Sequence, residues 1–407
     1  MNTMRILFLA DVPAGKPESG AEQVLFQQTK GCAEAGHEVC AITRRHRGGS
    51  DLLLHDWGLL EGSYPADPGH PLSFFAALHR DPQKLYHDLS QQGRFHALVA
   101  HQPFTCLPLL LSGAIRSIPL LYVFHSPGHE EYLLANQNSP QWKTTLPALI
   151  RRGIEAYVIR KAKRVMALSD YMGRKAASIH GIKPEQILIN PGGVDLIRFS
   201  PPTDRNTLKI EMGWPPDRIH LLSIRNFEPR MGLDALVRAL ARLNRHGPRY
   251  HLTLGGDGPE RDNLIRLVHE LNLERVVTMT GFIPDHQMAR WYGSADFFIL
   301  PTRSLEGFGL VTPESLACGT PVLGTPIGGT AEILSRFDNR FLFHDSSQEA
   351  MEDGITQAVT DFPLRTQSYQ QLREDCRNFA SNHYAWQRHN ELLLSTLTAL
   401  TRPQARC

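Results

Sequence analysis

Short apolar runs recur along the whole chain, and stretches with apolar residues at helical spacing separate most of them. The runs that predict buried strands in the first half are Ile6–Ala10, Leu98–Ala100, Leu120–Phe124, Val165–Leu168 and Ile187–Ile189. Those in the second half are Leu221–Ile224, Leu252–Leu254, Val276–Met279, Phe297–Leu300, Val322–Leu323 and Phe341–Phe343. Strands that alternate with helices predict an α/β fold, in which parallel sheets are covered by helices on both faces.

A segment rich in proline and glycine, from Asn190 to Asp204, separates the two series of strands. Such a composition is typical of an interdomain linker. The chain of 407 residues is long enough for two domains of ordinary size. We therefore expect two Rossmann-like domains that face each other across a cleft, residues 1–193 and 205–384, with residues 194–204 as the linker.

One stretch of the second half, S-L-E-G-F-G-L-V-T-P-E-S-L-A-C-G-T-P-V-L-G, places the carboxylates of Glu306 and Glu314 eight positions apart. We expect Glu306 in the loop after a buried strand and Glu314 in the helix that follows. Backbone N–H groups at residues 307–310 would then lie at a helix N-terminus, which suits a phosphate group. Glycine on both sides of Phe308 would let a ligand approach the backbone closely.

This stretch resembles the E-x7-E motif of the retaining glycosyltransferases of family GT4. The resemblance implies a GT-B fold and a nucleotide-diphosphate sugar as donor. In that family the residue matching Glu306 touches the donor sugar, and the residue matching Glu314 binds the ribose hydroxyls. The family residues that contact the sugar and the diphosphate match Gly307, Phe308, Gly309 and Leu310. A bare E-x7-E would suit any strand–loop–helix, but the Phe-Gly pair and the following C-G-T-P-V make this match specific.

Several shorter segments resemble the same family. Gly20, in P-E-S-G-A-E after the first strand, matches the glycine-rich loop over the donor phosphates. Gly256, in G-G-D-G-P, matches a turn at a strand end, and Phe282, in G-F-I-P-D, matches the loop that frames the base. The resemblance also implies that a C-terminal helix, within residues 385–407, returns to the first domain.

Two histidines follow predicted strands of the first half, His101 and His125. A polar residue at the carboxyl end of a parallel strand points into the crevice where α/β proteins bind ligands. In the family, the residue that matches His125 lies at the reaction centre. We expect His101 to be structural or to line the acceptor site.

Two arginines, Arg225 and Arg230, lie between a predicted strand and a predicted helix in S-I-R-N-F-E-P-R-M-G. Fixed cations there would stabilise a departing diphosphate. The family usually has an Arg and a Lys at the positions of Asn226 and Met231, so both arginines are displaced by one residue. Which arginine contacts which phosphate is left open.

Composition and charge exclude several other classes of protein. The 43 Lys and Arg residues nearly balance the 41 Asp and Glu residues, which argues against a nucleic-acid partner. No two aspartates form the D-x-D triplet of metal-using glycosyltransferases, so we expect no metal and no cofactor. The six cysteines include no C-x-x-C pair and are typical of a reducing, cytoplasmic compartment. No apolar run is long enough for a signal-peptide core or a transmembrane helix.

The resemblance predicts a retaining, metal-independent transfer of a sugar to an acceptor hydroxyl. The alternatives are another GT-B enzyme, such as a nucleotide-sugar epimerase, and an inactive nucleotide-sugar-binding subunit. A phosphorylase would need a pyridoxal-phosphate lysine, and Lys209 is the only lysine after position 200. The acceptor, the donor sugar and the donor nucleotide (UDP, GDP or ADP) stay open.

The segment from Gln141 to Arg164 carries seven cations and one acid, together with apolar residues at helical spacing. A basic amphipathic helix can lie on an anionic bilayer. We expect instead that the apolar stripe packs into the core and that the cations form a solvated face. We also expect Pro147 to break the early part of the helix.

Overall fold

The computed structural model describes residues 3–15, 17, 19–45, 51–66, 71–137, 139–247 and 249–402, without the side chains of residues 51 and 71–75. The chain forms two compact units. The first comprises Met1–Gly192 together with Gln387–Cys407, and the second comprises Gly193–Trp386.

Helices flank the strands of both units. In chain order they are α1 (Gly20–Glu34), α2 (Pro71–Ser90), α3 (Pro103–Leu111), α4 (Gly128–Ala135), α5 (Gln141–Lys161), α6 (Asp170–His180), α7 (Arg205–Glu211), α8 (Leu233–Leu243), α9 (Arg261–Glu270), α10 (Met288–Ser294), α11 (Val311–Ala317), α12 (Gly328–Phe337), α13 (Gln348–Asp361), α14 (Gln367–His383) and α15 (Trp386–Thr401). From Gln387 onward, α15 belongs to the first unit.

The first unit is built on an eight-stranded sheet. Its strands are β1 (Arg5–Ala10), β2 (Glu38–Arg45), β3 (Asp51–Leu54), β4 (Leu59–Pro65), β5 (Ala97–Ala100), β6 (Leu120–Phe124), β7 (Arg164–Ala167) and β8 (Ile187–Ile189). They lie in the order β3-β4-β2-β1-β5-β6-β7-β8. Every neighbouring pair is parallel except β3 and β4.

The core of the first unit lies between this sheet and its helices. Residues of the central strands, such as Phe8 and Val99, are fully buried there. Leu393 and Leu397 of α15 pack into the same cluster. The last helix therefore completes a core whose other members come from the first half of the chain.

The second unit contains a five-stranded parallel sheet. Its strands are β9 (Ile219–Ile224), β10 (Tyr250–Gly255), β11 (Val277–Gly281), β12 (Phe297–Leu300) and β13 (Val322–Gly324). They lie in the order β11-β10-β9-β12-β13. All four residues of β12 are fully buried, as expected for a strand covered on both faces of its sheet. The predicted α/β class with parallel sheets is confirmed.

Every predicted strand but one is present. The strand predicted at Phe341–Phe343 is wrong, because Asn339–Phe341 forms a 3-10 turn and Leu342 makes only an isolated bridge to Gly324. Strands β2, β3 and β4 were missed. In β4 the polar residues Glu61 and Ser63 interrupt the apolar pattern, whereas in β2 the apolar run from Val39 to Ile42 is continuous and was overlooked.

The segment expected as a linker, residues 194–204, is packed into the second unit. Val194 forms a parallel bridge with Ala385, and Phe199 is buried. Asp204 caps the N-terminus of α7.

Helix α5 contradicts two expectations. It continues through Pro147 without a break. The apolar stripe does not pack into the core along its whole length, because the large side chains of its first half are exposed: Trp142, Leu146, Leu149 and Ile150. No helix among the described residues combines the length and apolar content that a transmembrane span needs.

Candidate functional site

The carboxyl edge of the second unit's sheet gathers most of the predicted site residues. Because β9 to β12 are parallel, their carboxyl ends meet at one edge. Arg225 follows β9, Gly256 follows β10, Phe282 follows β11, and the loop with Glu306 follows β12. Residues that lie far apart in the sequence are therefore neighbours here.

At the centre of this edge lies a buried ion pair between Arg225 and Glu306. Arg225 Nη2 donates to Glu306 Oε2, and the two side chains keep only 7% and 9% of their surface exposed. The hydroxyl of Thr302 donates to the same carboxylate oxygen at 3.3 Å. Glu306 Oε1 has no hydrogen-bond partner within the part of the chain that the structure describes.

Arg230 lies beside this pair and is more accessible. Its Nε donates to Glu228 at 2.7 Å, and its Nη1 donates to the carbonyl of Leu305 at 3.0 Å. No described residue accepts from Nη2. Arg230 therefore keeps donors available for a ligand while its guanidinium is anchored to the loop.

The loop from 302 to 309 adopts an unusual backbone conformation. Leu305 and Gly309 have φ values of +55° and +79°, in the left-handed region that disfavours side chains. A Cβ on Gly309 would lie 2.5 Å from Thr330 Oγ1. Gly328 has a φ of +63°, and a Cβ there would lie 2.0 Å from the carbonyl oxygen of Glu306. Both glycines are thus required for the loop to pack against α12.

Three other members of the motif differ in what they expose. The Phe308 side chain is buried, and its ring packs edge-on against Tyr384 at 5.8 Å. Gly307 and Leu310 are half-buried, and Leu310 is the N-cap residue of α11. Phe308 therefore anchors the loop through its ring.

Glu314 lies in the first turn of α11. The Tyr292 hydroxyl donates to its Oε2 at 3.2 Å. Although the residue keeps part of its surface accessible, burial of the carboxyl group raises its pKa from 4.5 to about 8, against the opposing effects of Arg198 and the Tyr292 hydrogen bond. At neutral pH this carboxyl group is largely protonated in the absence of a ligand.

Gly256 and Phe282 complete this edge. Gly256 has a φ of +125°, and a Cβ there would lie 1.8 Å from the carbonyl oxygen of Arg225. Its N–H donates to the carbonyl of Gly281 at 2.8 Å, directly before Phe282. The Phe282 ring is 69% exposed, which leaves its face open to a planar ligand.

The first unit carries the remaining predicted residues. Gly20 is the first residue of α1, behind an N-cap at Ser19 that forms a capping box with Glu22. His125 follows β6, and its Nε2 lies 3.0 Å from Nδ1 of His101, which follows the adjacent strand β5. Burial lowers the pKa of His125 to about 4, with a smaller effect of His389.

Some residues of the site were missed from the sequence. Tyr292 and Thr302 hold the two motif carboxylates, yet a lone Tyr or Thr carries no signal of such a role. His389 was missed because it is 361 positions from Gln28, which it contacts. The pairing of His101 with His125 was within reach, since both follow strands predicted to be parallel.

Removal of Glu306 should leave the buried charge of Arg225 without its acidic partner. We expect Glu306→Ala to lower the free energy of unfolding by about 3–5 kcal/mol, because Arg225 is left without its counterion. Glu228→Ala is the matched control, since the Arg230–Glu228 pair is partly exposed and should contribute less than about 1 kcal/mol. Urea denaturation measures both; equal losses would contradict the importance of burial.

Glu314 should make stability depend on pH. Its folded pKa is raised, so its contribution to stability is fully present below about pH 4.5 and is lost as the pH rises to about 8. Glu314→Gln keeps an acceptor for Tyr292 but does not titrate. We expect the variant to gain stability over the wild type by at most about 1.4 kcal/mol per pH unit within this window.

Denaturation curves at pH 5 and pH 8.5 measure this gain. The exposed Glu270→Gln is the control, because loss of a carboxylate at the surface should change the pH dependence little. A gain for Glu314→Gln that is the same at both pH values would rule out a raised pKa.

Comparisons with known proteins identify relatives of both units. Residues 204–379 match the family Glycosyl transferases group 1, and residues 19–198 match Glycosyltransferase Family 4. The D-inositol 3-phosphate glycosyltransferase of Paenarthrobacter aurescens is 27% identical over 378 residues, which cover 89% of each chain.

Two solved structures share the fold over nearly the whole chain. Sucrose-phosphate synthase from Thermosynechococcus elongatus superimposes with a TM-score of 0.79 at 21% identity and covers 97% of this chain and 99% of its own. HepE from Anabaena, in complex with UDP and glucose, gives a TM-score of 0.75 at 20% identity, covering 97% and 100%. These neighbours confirm the expected GT-B fold. The two family matches span both units, and the chain is a glycosyltransferase that belongs to family 4.

Proposed function

We propose that this glycosyltransferase moves a sugar from a nucleoside diphosphate sugar to an acceptor hydroxyl, with retention of configuration and without a metal ion. One observation carries the proposal: the same carboxyl edge of the second unit's sheet holds a fixed carboxylate, an anchored arginine and an exposed aromatic residue. A sugar, a diphosphate and a base present chemistry complementary to these three features.

The departing diphosphate needs positive charge that is in place before the bond breaks. Arg230 supplies it through the N–H groups of Nη2, which have no acceptor among the described residues. The N–H groups at the start of α11 and the preceding loop add partial positive charge. Since these groups do the work of a cation, and the sequence has no D-x-D triplet, the proposal requires no metal.

The sugar and the ribose are held by the carboxyl groups of Glu306 and Glu314, each of which has one oxygen without a partner among the described residues. Arg225 and Thr302 occupy Oε2 of Glu306, so Oε1 remains to accept from a sugar hydroxyl. Tyr292 likewise occupies Oε2 of Glu314, and a ribose hydroxyl would meet the other oxygen. In this proposal Arg225 acts mainly by fixing Glu306, and His125 contacts the donor sugar, as the family resemblance implies.

The donor nucleotide is best tested with UDP first. HepE, which shares the fold, has been crystallised with UDP-glucose. Phe282 would stack on the base, and stacking tolerates any base because every base has a π face. Neither an epimerase nor an inactive subunit needs an acceptor, so a transferred sugar would exclude both. We place the reaction in the cytoplasm, where scattered free cysteines stay reduced.

The function is tested by incubating the purified enzyme with UDP-, GDP- and ADP-glucose, a panel of hydroxyl acceptors and excess EDTA. We expect transfer from one donor, with the anomeric configuration of the donor kept in the product, as read by NMR. Arg230→Ala should slow turnover about 100-fold, because it removes a donor to the leaving group. Arg245→Ala, which removes an arginine in an exposed ion pair, is the control. Inversion, or a loss of activity that Mg²⁺ restores, would contradict the proposal.

Helix α5 also supports contact with a membrane surface. Its first half exposes Trp142, Leu146 and Leu149, and Lys143 and Arg152 are exposed on the same helix. The single acid of the helix, Glu155, is buried. A helix that presents apolar side chains between cations matches the interface of an anionic bilayer. We propose that α5 docks the enzyme peripherally on such a surface, where a lipid-linked acceptor would be within reach.

Vesicle sedimentation tests this docking. We expect binding to phosphatidylserine-containing vesicles that weakens with salt, and Lys143→Ala should lower the partition coefficient about fivefold, since each basic residue near the surface contributes about 1 kcal/mol. Trp142→Ala should weaken binding further. Ile210→Ala, which removes an equally exposed apolar side chain of the second unit, is the control. Absence of sedimentation at low salt would contradict membrane docking.

A further inference from the structure

A line of hydrogen bonds crosses the first unit from the backbone of Pro191 to His125. The carbonyl of Pro191 lies 2.8 Å from His389 Nδ1, and His389 Nε2 lies 2.9 Å from Gln28 Nε2. Gln28 Oε1 lies 3.0 Å from His101 Nε2, and His101 Nδ1 lies 3.0 Å from His125 Nε2. The three inner members, Gln28, His101 and His389, are buried.

The direction of each hydrogen bond follows from the first. A carbonyl only accepts, so the proton of His389 is on Nδ1. Burial lowers the pKa of the three histidines, to about 4 for His125 and His389, so each ring is neutral at pH 7 and has one protonated nitrogen. His389 Nε2 must then accept from the amide nitrogen of Gln28.

The Gln28 amide fixes the directions of the remaining two hydrogen bonds. Its oxygen only accepts, so His101 carries its proton on Nε2 and offers an unprotonated Nδ1. His125 Nε2 must therefore donate to His101 Nδ1. This leaves Nδ1 of His125 with a lone pair, and no described residue makes a hydrogen bond to that atom.

We propose that Gln28, His101 and His389 are positioning residues that hold His125 in the tautomer with its proton on Nε2. His125 then meets its ligand as a hydrogen-bond acceptor through Nδ1. It selects a group that can donate, such as a hydroxyl, over one that can only accept. The identity of that ligand as a donor sugar rests on the proposed function; the tautomer does not.

Without Gln28 the direction would no longer be fixed. Two neutral imidazoles can share one hydrogen bond in either sense, with the proton on His125 Nε2 or on His101 Nδ1. Only the amide oxygen of Gln28, which accepts a hydrogen bond from His101 Nε2–H, makes the two directions unequal. A histidine with the reversed sense would present an N–H to the ligand.

The test is ¹⁵N NMR of the histidine-labelled full chain at pH 7, without any ligand, with signals assigned from single His→Asn variants. We expect His125 and His101 to be protonated on Nε2 and His389 to be protonated on Nδ1. A wild-type His125 with its proton on Nδ1, or on both nitrogens, would overturn the proposal. Because no sugar nucleotide is present, a wrong donor assignment would leave this result unchanged.

A variant with a matched control tests whether this line of hydrogen bonds fixes the tautomer of His125. In Gln28→Leu, the signals of His125 Nε2 and His101 Nδ1 should shift toward values between those of protonated and unprotonated nitrogen. Asn390→Ala removes a neighbouring hydrogen bond between α15 and α1, to the carbonyl of Gln27, and should leave these signals unchanged. Unshifted His125 signals in folded Gln28→Leu would overturn the role of Gln28, as would equal shifts in both variants.

Discussion

The buried ion pair between Arg225 and Glu306 is the interaction on which the second unit's site depends. It joins the end of β9 to the loop after β12, and nearly all water is excluded from it. Neither charge can lose the other without a large cost in free energy. The loop must therefore keep the conformation that brings Glu306 to Arg225, even though Leu305 has an unfavourable positive φ. The pair thereby occupies Oε2 of Glu306 and leaves Oε1 without a partner among the described residues.

Close backbone contacts hold the same arrangement in place. A side chain on Gly256 would collide with the carbonyl of Arg225, and one on Gly328 would collide with the carbonyl of Glu306. The backbone of each member of the ion pair is thus in close contact with a glycine of a neighbouring segment. These glycines are required for packing in the free protein, independently of any contact that their N–H groups make with a phosphate.

The arginines and the linked histidines of the candidate site are held by opposite electrostatic means. In the second unit, Arg225 and Arg230 each have an acidic partner for their charge. In the first unit, burial keeps the linked histidines His101, His125 and His389 neutral. A neutral imidazole has one donor and one acceptor, so its orientation and tautomer decide which kind of ligand atom it can bind. In our proposal, the line of hydrogen bonds that runs from His389 through Gln28 to His101 fixes the tautomer of His125.

The sequence by itself determined the alternation of strands and helices, the parallel sheets, and the strand ends at which Arg225, His125 and Glu306 lie. These features follow from local periodicity and from the rule that parallel strands share a carboxyl edge. Only the tertiary structure decided which partners meet there, because Tyr292 reaches Glu314 from another helix and His389 reaches Gln28 from 361 positions away. It also decided that the first half of α5 exposes its apolar side chains. A helical periodicity shows that a stripe exists, whereas the packing of neighbouring elements determines whether that stripe is covered.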